Sequence, residues 1–527
     1  MNIKLPAKWM ENVQFSTLLL LAAAIMALPI IGMVLPLLSL LSFSDYATSR
    51  SFFVSGRQMH LLAQSLFFSG TVALTTSVIG TSLAIMLIHS KSGKQILALI
   101  LPTLIVVPPA IHGINWTATI MAVGEWLTRN HLTAIQPGGW LAAGLAEILS
   151  FLPIAIAIAW AGVAMLDIRL IEAGIIYRPR MAVLTCITVR LAMPVLLSGS
   201  GVIFLLSLSD YSVPSLFSVN VYALEIFSTY STGVHPAAAV FTAAPLVAII
   251  TVTLMAILKA GRRVQAMAMS RKVYSGYLAS GTQTTPVAAM LLVAYFILPL
   301  AVMTMTAGSL QFLEVAASGA RSEMGVSIAI SLSVAAICTI LGLSVGQALD
   351  KKGPVSAILW GLTCLAFALP APLTGIGLLQ IDVGYRLEEF LPVWANTVRF
   401  LPIAAFVSFA MHRRADSKLI EAGHVFARNR LHAMRHITLP LMLPGLVISG
   451  ATCFAFTMGE LGATLLVAAP GRATLMMRLY NLLHYGASRE IAGLCLLLVL
   501  PALASGILLT GILHQRMAKT PLEPENA

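Results

Sequence analysis

Charged residues are scarce in this sequence of 527 residues. Asp, Glu, Lys and Arg make up 10% of the chain, whereas ordinary soluble domains carry about 25%. Hydrophobic residues make up 58%, and the mean hydropathy is +0.91. This composition excludes a soluble globular protein. It predicts an all-α polytopic membrane protein, because a helix needs roughly 20 mostly apolar residues to cross a bilayer.

Cysteine is also rare and unpatterned. The five cysteines are scattered along the chain and no two of them form a CxxC pair. A disulfide framework and a zinc-binding motif both need closely spaced cysteines, so neither is expected. The sequence thus points to a protein stabilised by its helices and the membrane.

Motifs for ATP binding and nucleophilic catalysis are missing. Gly93 and Lys94 lack the glycine that a P-loop places five residues earlier, so ATP would be handled by another chain. The stretch GLSVG, residues 342–346, lies inside an apolar segment with no strand before it, and we interpret it as a chance match. His432 and His436 have basic neighbours and no carboxylate nearby, which favours a solvated loop over a metal site. We therefore expect no catalytic residue, no metal and no cofactor.

The chain does contain twelve apolar segments long enough to span a membrane. They lie near 16–43, 62–88, 96–122, 138–165, 193–217, 236–258, 286–309, 323–348, 354–380, 391–411, 441–468 and 490–513. The first is too long for a signal-peptide core and has no obvious cleavage site, so it is predicted to be a retained helix.

The net charge of +12 is explained by topology. If the N-terminus is inside, most of the Lys and Arg residues fall in inner loops, as the positive-inside rule requires. We therefore expect a bacterial inner-membrane protein with both termini in the cytoplasm, surrounded by lipid and with no nucleic-acid partner.

Two parts of the sequence repeat each other. Residues 151–174 and 400–423 both begin with FLPIA and end with LIEAG, 249 positions apart, while Pro108 in VPPAIHGI and Pro370 in LPAPLTGI are 262 positions apart. The predicted units are a first half at 1–259, a cytoplasmic linker at 260–285 and a second half at 286–527. Six helices are an even number, so the halves would run in the same direction, with a pathway between them.

The second inner loop, about residues 412–440, contains LIEAGHVFARNRLHAMRHITLP. It resembles the EAA loop of permease subunits of binding-protein-dependent ABC importers, E-A-A-x3-G-x9-I-x-L-P, with one Gly for Ala and one Ala for Gly. The matching positions are Glu421, Ala422, Gly423, Ala427 and Pro440.

The first inner loop, about residues 166–190, is a degenerate copy. It keeps Glu172, Ala173 and Gly174, but Arg178 stands at the small position and Arg190 replaces the final proline. Pro179 would also break a helix at this point, which favours a turn between two short helices.

The resemblance implies a type I ABC importer permease in which one chain supplies both transmembrane halves. It further implies that the two loops dock on a cytoplasmic ABC ATPase dimer and that a periplasmic or lipid-anchored binding protein delivers the solute. A fused double permease of this length most resembles the ferric-iron and thiamine branch. Ferric iron is therefore the expected solute, with thiamine, a polyamine or an oxyanion as alternatives.

Charged residues inside the apolar segments point to the pathway, because each costs at least about 2.5 to 3.5 kcal/mol in hydrocarbon. Asp210 and Glu460 occupy equivalent positions of the two halves, and repeat symmetry places Arg399 one helical turn from Glu147. We expect Arg399 and Glu147 to pair across the halves. The predicted pathway residues are Glu147, Asp210, Arg399, Glu460, Pro108 and Pro370.

Two other function classes remain open at this stage. A proton- or sodium-coupled secondary transporter also uses two six-helix repeats and could protonate the buried carboxylates. A membrane scaffold that does not transport would explain the docking loops but not the repeated buried charges.

Overall fold

The computed structural model describes most of the chain. The described residues are 7–41, 55–88, 91–131, 138–232, 236–267, 284–381, 387–414, 436, 439–483 and 489–519. These residues form helices and short connections and contain no strand, so the predicted all-α class is confirmed.

The helices are given in chain order. In the first part they are α1 Ala7–Leu41, α2 Gly56–Ile88, α3 Lys91–Val106, α4 Pro109–Arg129, α5 Gly139–Ala164, α6 Ile168–Tyr177, α7 Arg180–Val183, a π-helical turn Leu184–Thr188, α8 Val189–Ser209, α9 Ser212–Leu216, α10 Tyr222–Ser231 and α11 Pro236–Met267. In the second part they are α12 Thr284–Ala307, α13 Leu310–Gly319, α14 Arg321–Leu349, α15 Pro354–Ala368, α16 Ala371–Ile381, α17 Leu391–Arg414, α18 Leu439–Met458, α19 Thr464–Val467, α20 Leu475–Leu483 and α21 Arg489–Lys519.

Ten helices of the described residues are long and apolar enough to cross a membrane, and twelve spans result if each of two bent pairs counts as one. The bent pairs correct the predicted continuous segments 96–122 and 354–380. The axis turns by 93° between α3 and α4 and by 110° between α15 and α16.

Each bend occurs at a repeated proline. Pro108 has an extended backbone, with φ −66° and ψ 151°, and its carbonyl accepts the first N–H groups of α4. Pro370 starts α16 in the same way. The helical region is disfavoured for a residue that precedes proline, which agrees with the ends of α3 at Val106 and of α15 at Ala368, just before Val107 and Leu369. The sequence showed these prolines but not that they turn the chain through a right angle.

Two further predicted segments are shorter than expected. The segment predicted at 193–217 ends as a long helix at Ser209, and the segment predicted at 441–468 ends at Met458. In both places a break is followed by a short helix, α9 or α19. The breaks fall at Asp210 and next to Glu460, so these carboxylates lie at helix ends rather than on a helix surface.

The first helix of each predicted half packs on the other half. Helix α1 contacts α16 and α17, where Trp394 Nε1 donates to Ile25 O at 3.3 Å. Helix α12 contacts α4, where Tyr295 Oη lies 3.2 Å from His112 Nδ1. Each predicted half therefore contributes its first helix to the packing of the other half, and these contacts hold the two halves together.

Corresponding helix pairs touch in the same register. A Cβ added at Gly80 of α2 would lie 2.5 Å from Ala155 Cβ of α5, and one added at Gly342 of α14 would lie 2.6 Å from Ala404 Cβ of α17. Gly80 and Gly342 differ by 262 positions and the two alanines by 249, which are the offsets of the sequence repeat. Small residues at such crossings let helix backbones approach closely in a membrane.

Gly342→Val should destabilise the protein, because the new side chain would overlap the backbone of α17, and overpacking typically costs about 1–3 kcal/mol. The thermal midpoint of the detergent-purified protein should fall. Gly325→Val is the matched control, since it lies on the same helix with open space around its Cβ. Equal midpoints for the two variants would contradict this packing.

Candidate translocation pathway and coupling surface

Asp210 and Glu460 are held at the starts of the short helices that follow them. Ser212 N donates to Asp210 Oδ1 at 2.9 Å, at the first residue of α9. Ala463 N and Thr464 N donate to the two oxygens of Glu460 at 2.7 and 2.9 Å, at the start of α19. The first N–H groups of a helix have no partner within that helix, so a carboxylate placed there is stabilised by them.

Glu460 is also the partner of the half-buried Arg399. Arg399 Nη1 of α17 forms a salt bridge with Glu460 Oε1, and the Glu460 side chain is 2% exposed. The expected pair of Arg399 and Glu147 is therefore wrong. Repeat symmetry places Arg399 opposite Ser150, but the break after α18 brings Glu460 of the same half into reach of the guanidinium.

Glu147 faces α8 instead. It is fully buried and accepts a hydrogen bond from Ser207 Oγ, while its Oε1 has no hydrogen-bond partner among the described residues. It lies close enough to Asp210 for the two carboxyl groups to interact electrostatically. Glu147 is thus a second acidic group near Asp210.

A cavity of about 150 Å³ lies between the two halves. Its polar lining includes Asp210, Arg399 and Glu460, and Pro108 also lines it. Pro370 is absent from the lining, although its neighbours Leu369 and Ala371 contribute to it. Four of the six predicted pathway residues therefore meet at one cavity, with Glu147 next to it.

The cavity also has aromatic walls that our sequence reasoning missed. Phe151 and Phe400, the first residues of the two FLPIA copies, both line it, and Phe456 packs against Phe400 with ring centroids 5.7 Å apart. The repeat itself was the signal that could have found them.

Contacts between the halves also form beside the cavity. Ser215 Oγ of α9 lies 2.8 Å from Tyr480 Oη of α20. Tyr211 is buried, and its hydroxyl donates to Gly462 O at 3.5 Å. These contacts join the short helices of one half to those of the other and close the boundary at that point.

The first EAA-like loop forms the short helix α6. Asp167 caps it by accepting a hydrogen bond from Arg169 N at 3.0 Å. Arg178 is extended and Pro179 follows, so the helix ends at Tyr177 as the sequence predicts. Ile171 is buried against α2 and α5, which fixes one face of α6 to the membrane domain.

The opposite face of α6 is exposed. Glu172 and Ala173 are exposed, as are three apolar side chains, those of Leu170, Ile176 and Tyr177. Gly174 faces inward, where an added Cβ would lie 2.5 Å from Ile187 Cδ1. Exposed apolar residues beside a charged one at a polar loop form a surface suited to a protein partner.

The second loop lies mostly outside the described residues. Glu421, Ala422, Gly423 and Ala427 belong to this part, and their predicted role stays a prediction. Pro440 is described: it is the second residue of α18 and is exposed. This placement suits proline, which lacks the N–H group that the first turn of a helix does not use.

No family model matches the chain. It is 28% identical over 233 residues to a protein of Salmonella typhimurium named as the 2-aminoethylphosphonate transport system permease PhnV, covering 40% of this chain and 87% of that protein. It is 26% identical over 193 residues to the putrescine permease PotI of Escherichia coli, covering 34% and 67%. The molybdenum permease ModB of Escherichia coli is 27% identical over 206 residues, covering 34% and 89%. The chain is an ABC importer permease.

The permease is longer than these relatives. The match to PhnV covers most of that protein but less than half of this chain. Together with the apolar helices, this similarity establishes a multi-pass protein of the inner membrane and a transport component rather than a soluble enzyme.

The ion pair of Arg399 and Glu460 should stabilise the permease strongly, since removing one partner of a buried pair costs about 3–5 kcal/mol. Arg399→Ala should therefore lower the thermal midpoint of the purified permease more than the double variant Arg399→Ala with Glu460→Gln, in which no charge is left alone.

The exposed pair of Arg472 and Glu389, 2.9 Å apart, is the matched control for this double-mutant cycle. Surface pairs contribute about 0–1 kcal/mol, so the same substitutions there should be additive. If Arg399→Ala and Glu460→Gln are also additive, the buried pair does not couple the two residues.

Proposed function

We propose that the permease moves a small solute through the boundary between two six-helix halves of this one chain, driven by ATP hydrolysis on a separate cytoplasmic ATPase dimer. The observation that carries this proposal is the cavity, because it collects side chains from equivalent positions of both repeats. Asp210 and Glu460 correspond to each other, as do Phe151 and Phe400.

The contacts around the cavity support a closed state of this route. The Ser215 and Tyr480 hydroxyl groups join the halves on the predicted outer side, and the Arg399 guanidinium is covered by Glu460 and by the Phe400 ring, 5.7 Å from its centroid. A rocking motion would separate the outer contacts without unfolding the helices, with α1 and α12 moving together with the half on which each of them packs.

Helix α6 is proposed as one of two docking elements for the ATPase. Its exposed Leu170, Ile176 and Tyr177 offer apolar surface, and Glu172 offers a charge for a basic partner. The second element would be the loop with Glu421. A binding protein would dock on the opposite side of the membrane, with both termini of the permease in the cytoplasm.

The solute is proposed to be small and polar. The relatives are named for 2-aminoethylphosphonate, putrescine and molybdenum, which fits the polyamine and oxyanion alternatives. Ferric iron, the first expectation from the sequence, has no support from these names. In the described residues no three His, Cys, Asp or Glu side chains come together as a metal site.

A secondary transporter is the rival mechanism, and the buried Glu147 and Asp210 are the reason to test it. Vesicles that contain the permease alone, with an imposed proton or sodium gradient, should show no solute accumulation. Accumulation under those conditions, without an ATPase or ATP, would replace the proposal with ion-coupled transport.

A cysteine in the cavity should report the motion of the pathway. We expect Ser209→Cys, in a Cys186→Ser background that removes the exposed native cysteine, to change its rate of modification by a water-soluble thiol reagent when ATP and vanadate are added to the assembled transporter. Ser333→Cys, exposed on α14, is the control outside the pathway. An unchanged rate at position 209 would contradict the proposed route.

The two docking elements should differ in strength, because the first has lost its small residue and its final proline. Glu172→Ala should reduce ATPase co-purification and ATP turnover less than Glu421→Ala does, with similar amounts of both variants in the membrane. Equal losses would show that the two loops dock equivalently despite their sequences.

A further inference from the structure

Acidic groups outnumber basic ones at the cavity. Asp210 and Glu460 line it together with one basic side chain, Arg399, and Glu147 is close enough to Asp210 for the two carboxyl groups to interact electrostatically. If the side chains are ionised, the lining carries one excess negative charge and Glu147 adds another. Among the described residues, no basic side chain forms a salt bridge with Asp210 or Glu147.

Arg399 is close enough to Asp210 to interact with it electrostatically, but its salt bridge is with Glu460. Its guanidinium is bound to Glu460, and the Phe400 ring lies against it. Glu460 in turn is saturated by donors, since Ala463 N, Thr464 N and the Thr464 hydroxyl all donate to it. An anionic solute would have to break this network and would then face two carboxyl groups.

Asp210 already accepts hydrogen bonds from Ser212 and from the Val213 backbone, but it keeps room for a further donor. Both hydrogen bonds from Ser212 go to Oδ1, at 2.9 Å from the backbone N and 2.5 Å from the hydroxyl. A carboxylate has about four lone-pair sites and accepts donors on both oxygens. An ammonium group carries three donors and a full positive charge, so it complements both the geometry and the charge of this site.

The volume and the lining of the cavity limit the size and the polarity of the part of the ligand beyond its ammonium group. A volume of about 150 Å³ holds a molecule of the size of benzene. Phe151, Ile403 and Phe456 provide apolar surface for a short carbon chain. The fit is therefore to a small aliphatic ammonium compound of about six non-hydrogen atoms.

We propose that the cavity is a solute site that binds a primary ammonium group on Asp210 and a short aliphatic chain between its aromatic walls. This inference rests on the proposed pathway and specifies the charge of the solute that the pathway accepts. Arg399 and Glu460 also line the site, but they bind each other and not the ligand.

Two probes of nearly equal size and opposite charge test the proposal. The full chain in lipid nanodiscs is titrated with n-butylammonium and with butanoate, and the thermal midpoint is followed, because a ligand that binds the folded state raises it. Butylammonium should raise the midpoint in a saturable way, and butanoate should not. This comparison uses the unmodified protein, so it does not depend on any variant folding.

Substitutions then locate the site. Asp210→Asn should weaken butylammonium binding about tenfold or more, and Asp210→Glu should retain part of it. Asp350→Asn is the control, because Asp350 pairs with Arg413 3.2 Å away at the far end of α14 and does not line the cavity.

Three results would overturn the proposal: butanoate binding as well as butylammonium, Asp210→Asn binding butylammonium like the unmodified chain, or butylammonium giving no shift. None of these results would contradict the proposed pathway between the halves. The ATP-dependent accessibility of a cysteine at position 209 can still be positive when the ammonium site fails, so the two proposals are separable.

Discussion

A charged side chain in hydrocarbon must find a partner, because leaving it alone costs several kcal/mol. In this permease that constraint is met where long helices break. The breaks before α9 and α19 free backbone N–H groups, and these groups hold Asp210 and Glu460. Glu460 then binds Arg399. The cavity and its charge therefore depend on interrupted helices that meet at one level of the bundle.

The sequence repeat contains two copies of this arrangement, and the copies differ. Where the second half has Arg399 the first has Ser150, and where the first half has Glu147 the second has Asn396. Asn396 Nδ2 donates to Thr464 Oγ1 at 3.0 Å and so extends the network around Glu460. In the first half Asp210 accepts hydrogen bonds from Ser212 and from the Val213 backbone, and among the described residues no basic side chain forms a salt bridge with it. The cavity therefore has one side where the charge of Glu460 is neutralised by Arg399 and another side where Asp210 has no basic partner among the described residues.

The sequence predicted the helical class, the repeated prolines and four residues that meet at the cavity, because hydrophobic length and repeat offsets are properties of the chain itself. It did not predict the bends at Pro108 and Pro370, since a proline inside an apolar segment fits a kinked span equally well. It also assigned the wrong partner to Arg399. An offset gives the position of a residue in the repeat, but the partner depends on which helix end lies next to it in space.

The central claim is that the two halves must separate for transport, and the contact between Ser215 and Tyr480 tests it most directly. Cysteines at both positions, in the Cys186→Ser background, can be joined by a short methanethiosulfonate cross-linker that reduction removes. ATP turnover of the permease assembled with its ATPase should fall about tenfold on cross-linking and recover on reduction. Single-cysteine variants treated in the same way should keep their turnover. Full turnover in the cross-linked protein would show that the halves do not separate there.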